Sequence, residues 1–326
     1  MSGIVDTVGL ISGIVTIVSF TLSNSIPSQR AGGAVVGVGV GLGNSPTEPG
    51  NMDGSVQAIY GFDANNDYLG VSDTDIHVER GGYAEIQIHQ ELGETVQARK
   101  INFVNSDDAM CIQYLSVTQV NDYKTVWTGD VGYHCGQASW YPGKQAVGRA
   151  EDGTEYKPGC VWLDGNLEAD AMSASLKFDI GYYYANPDGS HTSEQEFCDG
   201  TQWSTSQDPM KKGKRAFPSP RDLTDQVLRD GWLVVNSDAN QPASWVCNSD
   251  TSFGPDYVNL PEGMFCDMGT HTLYPLCSTT DDDADCFDLE LAETGTEGAL
   301  TRRDAPGSVL LERAPPTFNY TAVEHW

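Results

Sequence analysis

The chain has 326 residues, 39% hydrophobic and 10% aromatic, which is enough for about two domains with real cores and too apolar for a wholly disordered chain. Thirty-five Gly and 16 Pro among only 20% charged residues point to many turns and short strands rather than long helices. Forty-six acidic against 18 basic side chains give a formal charge of -28, a surface that repels phosphates and anionic headgroups and argues against nucleic acid as a partner.

Residues 1–30 come first. Ile4, Val8, Ile11, Val15, Val18 and Leu22 recur at spacings of four and three, which predicts an apolar N-terminal helix, with Gly9 and Gly13 allowing close packing on one side. Three roles compete for it. A secretory leader could end near Ser25, although Asp6 stands where a basic residue is expected. A helix docked on the body, or self-associating through residues 3–22, is the second. The third is a membrane span, for which the roughly 16 apolar residues after Asp6 make only about 24 Å of helix.

Residues 31–185 are expected to form an antiparallel β-sandwich. In AVVGVGVGLG (34–43) Val36, Val38, Val40 and Leu42 alternate with Gly37, Gly39, Gly41 and Gly43, a strand with one bare face. The G-x-G-x-x-G spacing is absent and the Pro-rich stretch Asn44 to Gly50 follows, so this is not a dinucleotide site. Further short alternating runs lie at 55–63, 68–72, 83–90, 98–105, 111–120, 123–129, 160–163 and 173–184, separated by Gly, Asn and Asp clusters.

Residues 186–221 read as a polar, basic linker, and 222–289 as a small Cys-rich unit opening with an amphipathic helix at 222–230 and a strand at Trp232 to Val235. Residues 290–326 are acidic, then Pro-rich, and are expected to be a disordered tail whose end Phe318, Tyr320 and Trp326 could anchor. The expected fold is therefore mainly β: an antiparallel β-sandwich with an N-terminal apolar helix and a small disulfide-rich C-terminal unit.

The eight Cys, at Cys111, Cys135, Cys160, Cys198, Cys247, Cys266, Cys277 and Cys286, are even in number and form no C-x-x-C pair. That disfavours zinc fingers and thioredoxin-type centres and points to a disulfide framework in an oxidising compartment, with the pairing left open. Asn319-Tyr320-Thr321 is a glycosylation acceptor, with Asn319 as its site. Arg215 and Arg303 each end a dibasic pair, as a kexin-type processing protease requires; a solvated basic loop is the competing reading.

Asp164, Asn166, Glu168 and Asp170 place oxygen ligands at alternate positions, compatible with a weak Ca2+ site or with a solvated loop. Asp63, Asn65 and Asp67 do the same, but a hairpin turn explains them better because Tyr68 and Thr74 replace the Gly and Glu of a calcium loop. Apart from calcium no cofactor is expected. Cys135 beside His134 would share no proton on a strand, and no G-x-S-x-G or H-E-x-x-H occurs, so no catalytic residue is named. Tyr133, Trp140, Tyr141 and Trp162 are candidate ligand-binding aromatics that could stack a sugar, with core packing as the alternative.

The strings WTGDVGYHCGQASWY (127–141), PGCVWLDGN (158–166), SDTSFGPDYVNLPEGMFCDMGTHTLYPLC (249–277) and DCFDLE (285–290) resemble a family of secreted proteins of filamentous ascomycete fungi. The resemblance covers most of residues 30–290, implies fungal origin and an extracellular route, and carries no catalytic residues across. KINFVNSDDAMCIQYLSVTQV followed later by CVWL is similar at the fold level to PLAT-type β-sandwiches. The expected function is a secreted binding protein, matured by proteolysis, for a glycan, a membrane surface or a protein. The alternatives are a toxin or self-associating effector using the N-terminal segment, and a secreted hydrolase with an acidic site at Asp164 or Asp170.

Overall fold

The structure is a computed structural model that describes residues 5–11, 14–20, 26–41, 53–91, 95–136, 138–167, 173–183, 193–210, 231–279, 285–294, 300–302 and 320–326. These fall into two compact units, described residues up to 210 in the first and from 231 in the second.

The first unit opens with β1 (Val5–Ile11), β2 (Ile14–Phe20), β3 (Val35–Val40), β4 (Gly54–Phe62), β5 (Tyr68–Val71), β6 (Ile76–Val78), β7 (Tyr83–Gln87) and β8 (His89–Gln90). It continues with β9 (Lys100–Asn105), β10 (Met110–Thr118), β11 (Lys124–Thr128), α1 (Asp130–Cys135), β12 (Trp140–Tyr141), β13 (Gly148–Ala150), β14 (Glu155–Tyr156) and β15 (Cys160–Leu163). β16 (Ser175–Asp179), α2 (Glu194–Asp199) and β17 (Thr201–Ser204) complete it. One sheet runs β12-β15-β10-β3-β7 with β11 also on β10, and another runs β17-β16-β9-β4-β5-β8 with β6 also on β4. Every pairing in both is antiparallel.

Alternation in the sequence decides which face is core. Val36, Val38 and Val40 of β3 join Ile112, Leu115 and Val117 of β10 in one hydrophobic cluster with Ile59 of β4, Ile101 and Phe103 of β9, and Leu176 and Phe178 of β16. A single core thus takes side chains from both sheets, a sandwich-like arrangement. The other face of β3 is bare because rings lie on it. A Cβ built on Gly39 would lie only 2.1 Å from Cε1 of the Tyr114 ring, and one on Gly37 would meet Tyr83 and Ser116. Tyr83 and Tyr114 stack there with centroids 6.5 Å apart.

The expected N-terminal helix is replaced by a hairpin: β1 and β2 pair antiparallel with Ile11 opposite Ile14, and β2 continues onto β13. The helical spacing of four and three competes with a run rich in Val and Ile. β-Branched side chains lose rotamer freedom against the preceding helical turn and pack well on a pleat. The sheet β1-β2-β13-β14 is tied to the body by Val18 and Phe20, both buried with Tyr114, Val126, Val147 and Tyr156. Phe20 meets Tyr114 edge-on at 5.1 Å. No helix among the described residues is long and apolar enough to cross a membrane.

Residues 193–210, expected in a linker, instead supply α2 and β17 to the first unit. Ser193 and Glu196 form a reciprocal capping box that starts α2, and Cys198 bonds to Cys135. Lys211 to Arg215 and the expected helix at 222–230 lie outside the described residues.

The second unit contains β18 (Trp232–Asn236), α3 (Ala243–Cys247), β19 (Asp256–Asn259), β20 (Met264–Asp267), β21 (Thr272–Pro275), β22 (Asp285–Phe287), α4 (Leu289–Glu293), β23 (Leu300–Arg302) and β24 (Ala322–His325). Its sheet runs β21-β20-β19-β18-β24, with β18 parallel to both β19 and β24. The tail is therefore not disordered at its end: residues 322–325 are a strand.

All eight cysteines pair, as Cys111–Cys160, Cys135–Cys198, Cys247–Cys266 and Cys277–Cys286. Two bonds staple each unit. In the chain-entropy account the bridges spanning 49 and 63 residues each contribute about 4 kcal/mol.

Because the Tyr114 ring fills the place of a Cβ on Gly39, Gly39→Ala is expected to cost about 1–3 kcal/mol. Urea melts of Gly39→Ala, Tyr114→Ala and the double variant check it. Most of the Gly39→Ala penalty should vanish once Tyr114 is already shortened, and strictly additive losses would refute the contact.

Candidate functional site

Three of the four aromatics expected to stack a ligand are core residues. Trp140 and Tyr141 form β12, Trp162 lies in β15 beside it, and all three have 0% exposure, so none offers a ring face to a sugar. Tyr133 is half-buried on α1, with its ring 4.8 Å from that of Trp140. They pack inward because β12 and β15 continue the six-stranded sheet, whose two faces are both covered.

The same region holds a buried polar network. Residues 130–135 form α1 rather than a strand, which carries Asp130 into the interior at 6% exposure. Its carboxylate accepts hydrogen bonds from the Tyr156 hydroxyl and from the Gly159 N–H at 2.8 Å, while the Tyr156 oxygen lies 2.9 Å from Thr128 Oγ1. Burial pushes the Asp130 carboxyl up to about 7 despite those two bonds. Burial also holds the His134 imidazole down to about 4. Cys135, adjacent to it, is consumed in its disulfide and is no nucleophile.

The proposed calcium ligands are only partly placed. Asp164 follows β15 and is 1% exposed; its Oδ1 accepts the Asn166 N–H at 3.3 Å, and Asn166 itself is exposed. Glu168 and Asp170 lie outside the described residues, as do Arg215, Arg303 and Asn319. Burial, with the charge of Asp53 next, raises the nearby Asp108 carboxyl; Asp164 adds to the rise and His77 opposes it. Among the described residues no three His, Cys, Asp or Glu side chains are placed to hold a metal ion. Asp63 closes a hairpin turn, its Oδ1 accepting the N–H groups of Asn65 and Asp67 at 2.8 Å each.

One polar pair escapes sequence reasoning. Lys177 on β16 is 2% exposed, with Nζ 2.6 Å from the Met210 carbonyl and 3.7 Å from the centre of the Phe62 ring. Lys100 Nζ donates to Asn66 Oδ1 at 3.0 Å, the oxygen that Lys177 also approaches at 3.4 Å. Burial first, then the Lys100 charge, lowers Lys177 to about 8. Lys177 alternates with the core residues Leu176 and Phe178 and so lies on the other face of β16, where the Met210 carbonyl meets it, and no local pattern foretells a partner more than thirty residues downstream. The pair ties the 63–67 turn and the 210 segment to the sheet.

Searches against protein-family models and curated proteins find no match to this chain.

Asp130 supports the fold while protonated, so its contribution is whole below the ordinary carboxylate pKa and is lost as pH rises through about 7. His134 runs the other way, its contribution being lost as pH falls from 6.5 through about 4. Asp130→Asn, which keeps the shape and an acceptor for Gly159, should remove a pH-dependent loss on the order of 2 kcal/mol between pH 5 and 8. Urea melts across that range test this, and parallel slopes for the two proteins would contradict it.

Proposed function

We propose that the protein is a secreted binding protein whose target is another protein. The observation that carries the extracellular setting is the disulfide framework: every cysteine is paired, which a reducing cytosol does not sustain. The target class follows from what the surface offers. Trp140, Tyr141 and Trp162 are enclosed, which withdraws the support they gave to sugar stacking. A formal charge of -28 opposes anionic membranes and favours a partner with a basic face, drawn by long-range attraction. Fungal origin and maturation after Arg215 and Arg303 remain part of this reading on the strength of the sequence resemblance and the dibasic pairs.

A second reading has its own observation. β1 pairs with β2 on one side and with no other described strand on the other, and its sequence VDTVGLI is apolar apart from Asp6 and Thr7. Self-association through residues 3–22 would then add strand to strand rather than helix to helix.

Intact mass of protein from native culture medium should rise by eight hydrogens on reduction. Full-length protein found inside cells with free thiols would overturn the setting. For the target, immobilised folded protein should stay silent on glycan arrays and anionic liposomes and retain a basic protein ligand in a salt-sensitive manner. Glycan binding at low micromolar levels would overturn the assignment. For self-association, Val8→Pro should abolish any dimer seen by sedimentation velocity, and an unchanged dimer would remove β1 from consideration.

A further inference from the structure

β18 lies inside the sheet of the second unit only because the carboxy-terminal segment covers it. Its residues Trp232, Leu233, Val234 and Val235 are buried and uncharged, and β19 lies on the other side. Residues 322–325 pair with it in parallel, Trp232 opposite Ala322 and Val235 opposite His325. Beyond the ladder, the N–H groups of Thr321 and Ala322 donate to the Gly231 carbonyl at 2.7 and 2.9 Å. At the other end the Trp326 N–H donates to Val235, and Ser237 donates back to Trp326.

Side chains fix the register. Tyr320 is 7% exposed, and its hydroxyl donates at 2.7 Å to Oδ2 of Asp256, itself 6% exposed, whose Oδ1 accepts the Met268 N–H. The Tyr320 ring meets Phe287 edge-on at 6.2 Å, and Trp326 meets Tyr257 at 6.4 Å. These are the contacts by which an extended peptide is read: main-chain ladder, one anchoring aromatic, and one hydrogen bond to a buried carboxylate. Seven residues make all of them, and no disulfide holds the segment.

We propose that the β18 edge is a strand-accepting peptide site, that residues 320–326 are its exchangeable occupant, and that a second copy of this chain is the partner that supplies the same strand in trans. The second copy is favoured because the one peptide seen to fit this edge is carried by every copy. In cis, tethering keeps the site filled. A cut after Arg303 leaves the strand attached by non-covalent contacts alone. The site stands on its own contacts, and only the cut after Arg303 rests on the maturation proposed above.

The test uses the full chain with a specific protease sequence placed between Arg303 and Asn319, cut after folding. A fluorescent peptide of residues 319–326 should exchange into the nicked protein and not into the intact one. The Tyr320→Phe peptide should bind about tenfold more weakly or worse, since it loses a hydrogen bond to a buried carboxylate. Nicked chain stripped of its fragment should form a one-to-one heterodimer with intact chain in sedimentation velocity. Unfolding on nicking, no exchange into a folded nicked chain, or equal binding of the Tyr320→Phe peptide would overturn the site. Peptide binding without a heterodimer would overturn the second copy as partner.

Discussion

The first unit depends on the two unlike faces of β3. Its valines enter the core shared by the two large sheets, and its glycines leave room for Tyr114 and Tyr83 to lie flat on the strand. Tyr114 then meets Phe20, which is how the N-terminal hairpin finds its place on the outer side of that sheet. A side chain on the glycine face would lift the rings and the hairpin with them, because a close-packed interior cannot absorb even one added carbon without displacement. The strand therefore positions material on both of its sides.

The disulfides act within this frame. Cys111–Cys160 joins the adjacent strands β10 and β15, while Cys135–Cys198 ties the end of α1 to α2. The second unit has a smaller buried cluster, built around Leu233, Val235, Val258, Phe265 and Phe287, and its two bonds add constraint where apolar area is limited. Tyr320 and Val323 contribute to that same cluster, so the carboxy-terminal strand belongs to the core that it completes.

Buried polar groups mark where packing overrode residue preference. Asp130, Lys177 and Asp256 are each enclosed and each meets a hydrogen-bonding partner, Tyr156, Met210 and Tyr320 respectively. Such groups are costly if left unmet and so fix which segments must lie together. Each joins parts of the chain far apart in sequence, and each therefore lies beyond the reach of a local pattern.

The sequence by itself determined the central strands of the two large sheets of the first unit, because period-two alternation is a local property: β3 and β9 lie within 34–43 and 98–105, and β4 and β10 begin one residue before 55–63 and 111–120. It also determined the turn at Asp63 and the use of cysteine in disulfides. Tertiary structure alone decided the rest. Residues 5–20 satisfied a helical spacing and a strand composition at once, and burial of Val18 and Phe20 against β10 and β11 favours the strand. Trp140, Tyr141 and Trp162 read alike as platform or core, since composition does not say which face of a sheet is covered. The partner of Cys198 and the seat of residues 320–326 depend on contacts separated by 63 and about ninety residues, and spacing along a chain carries no information about such closures.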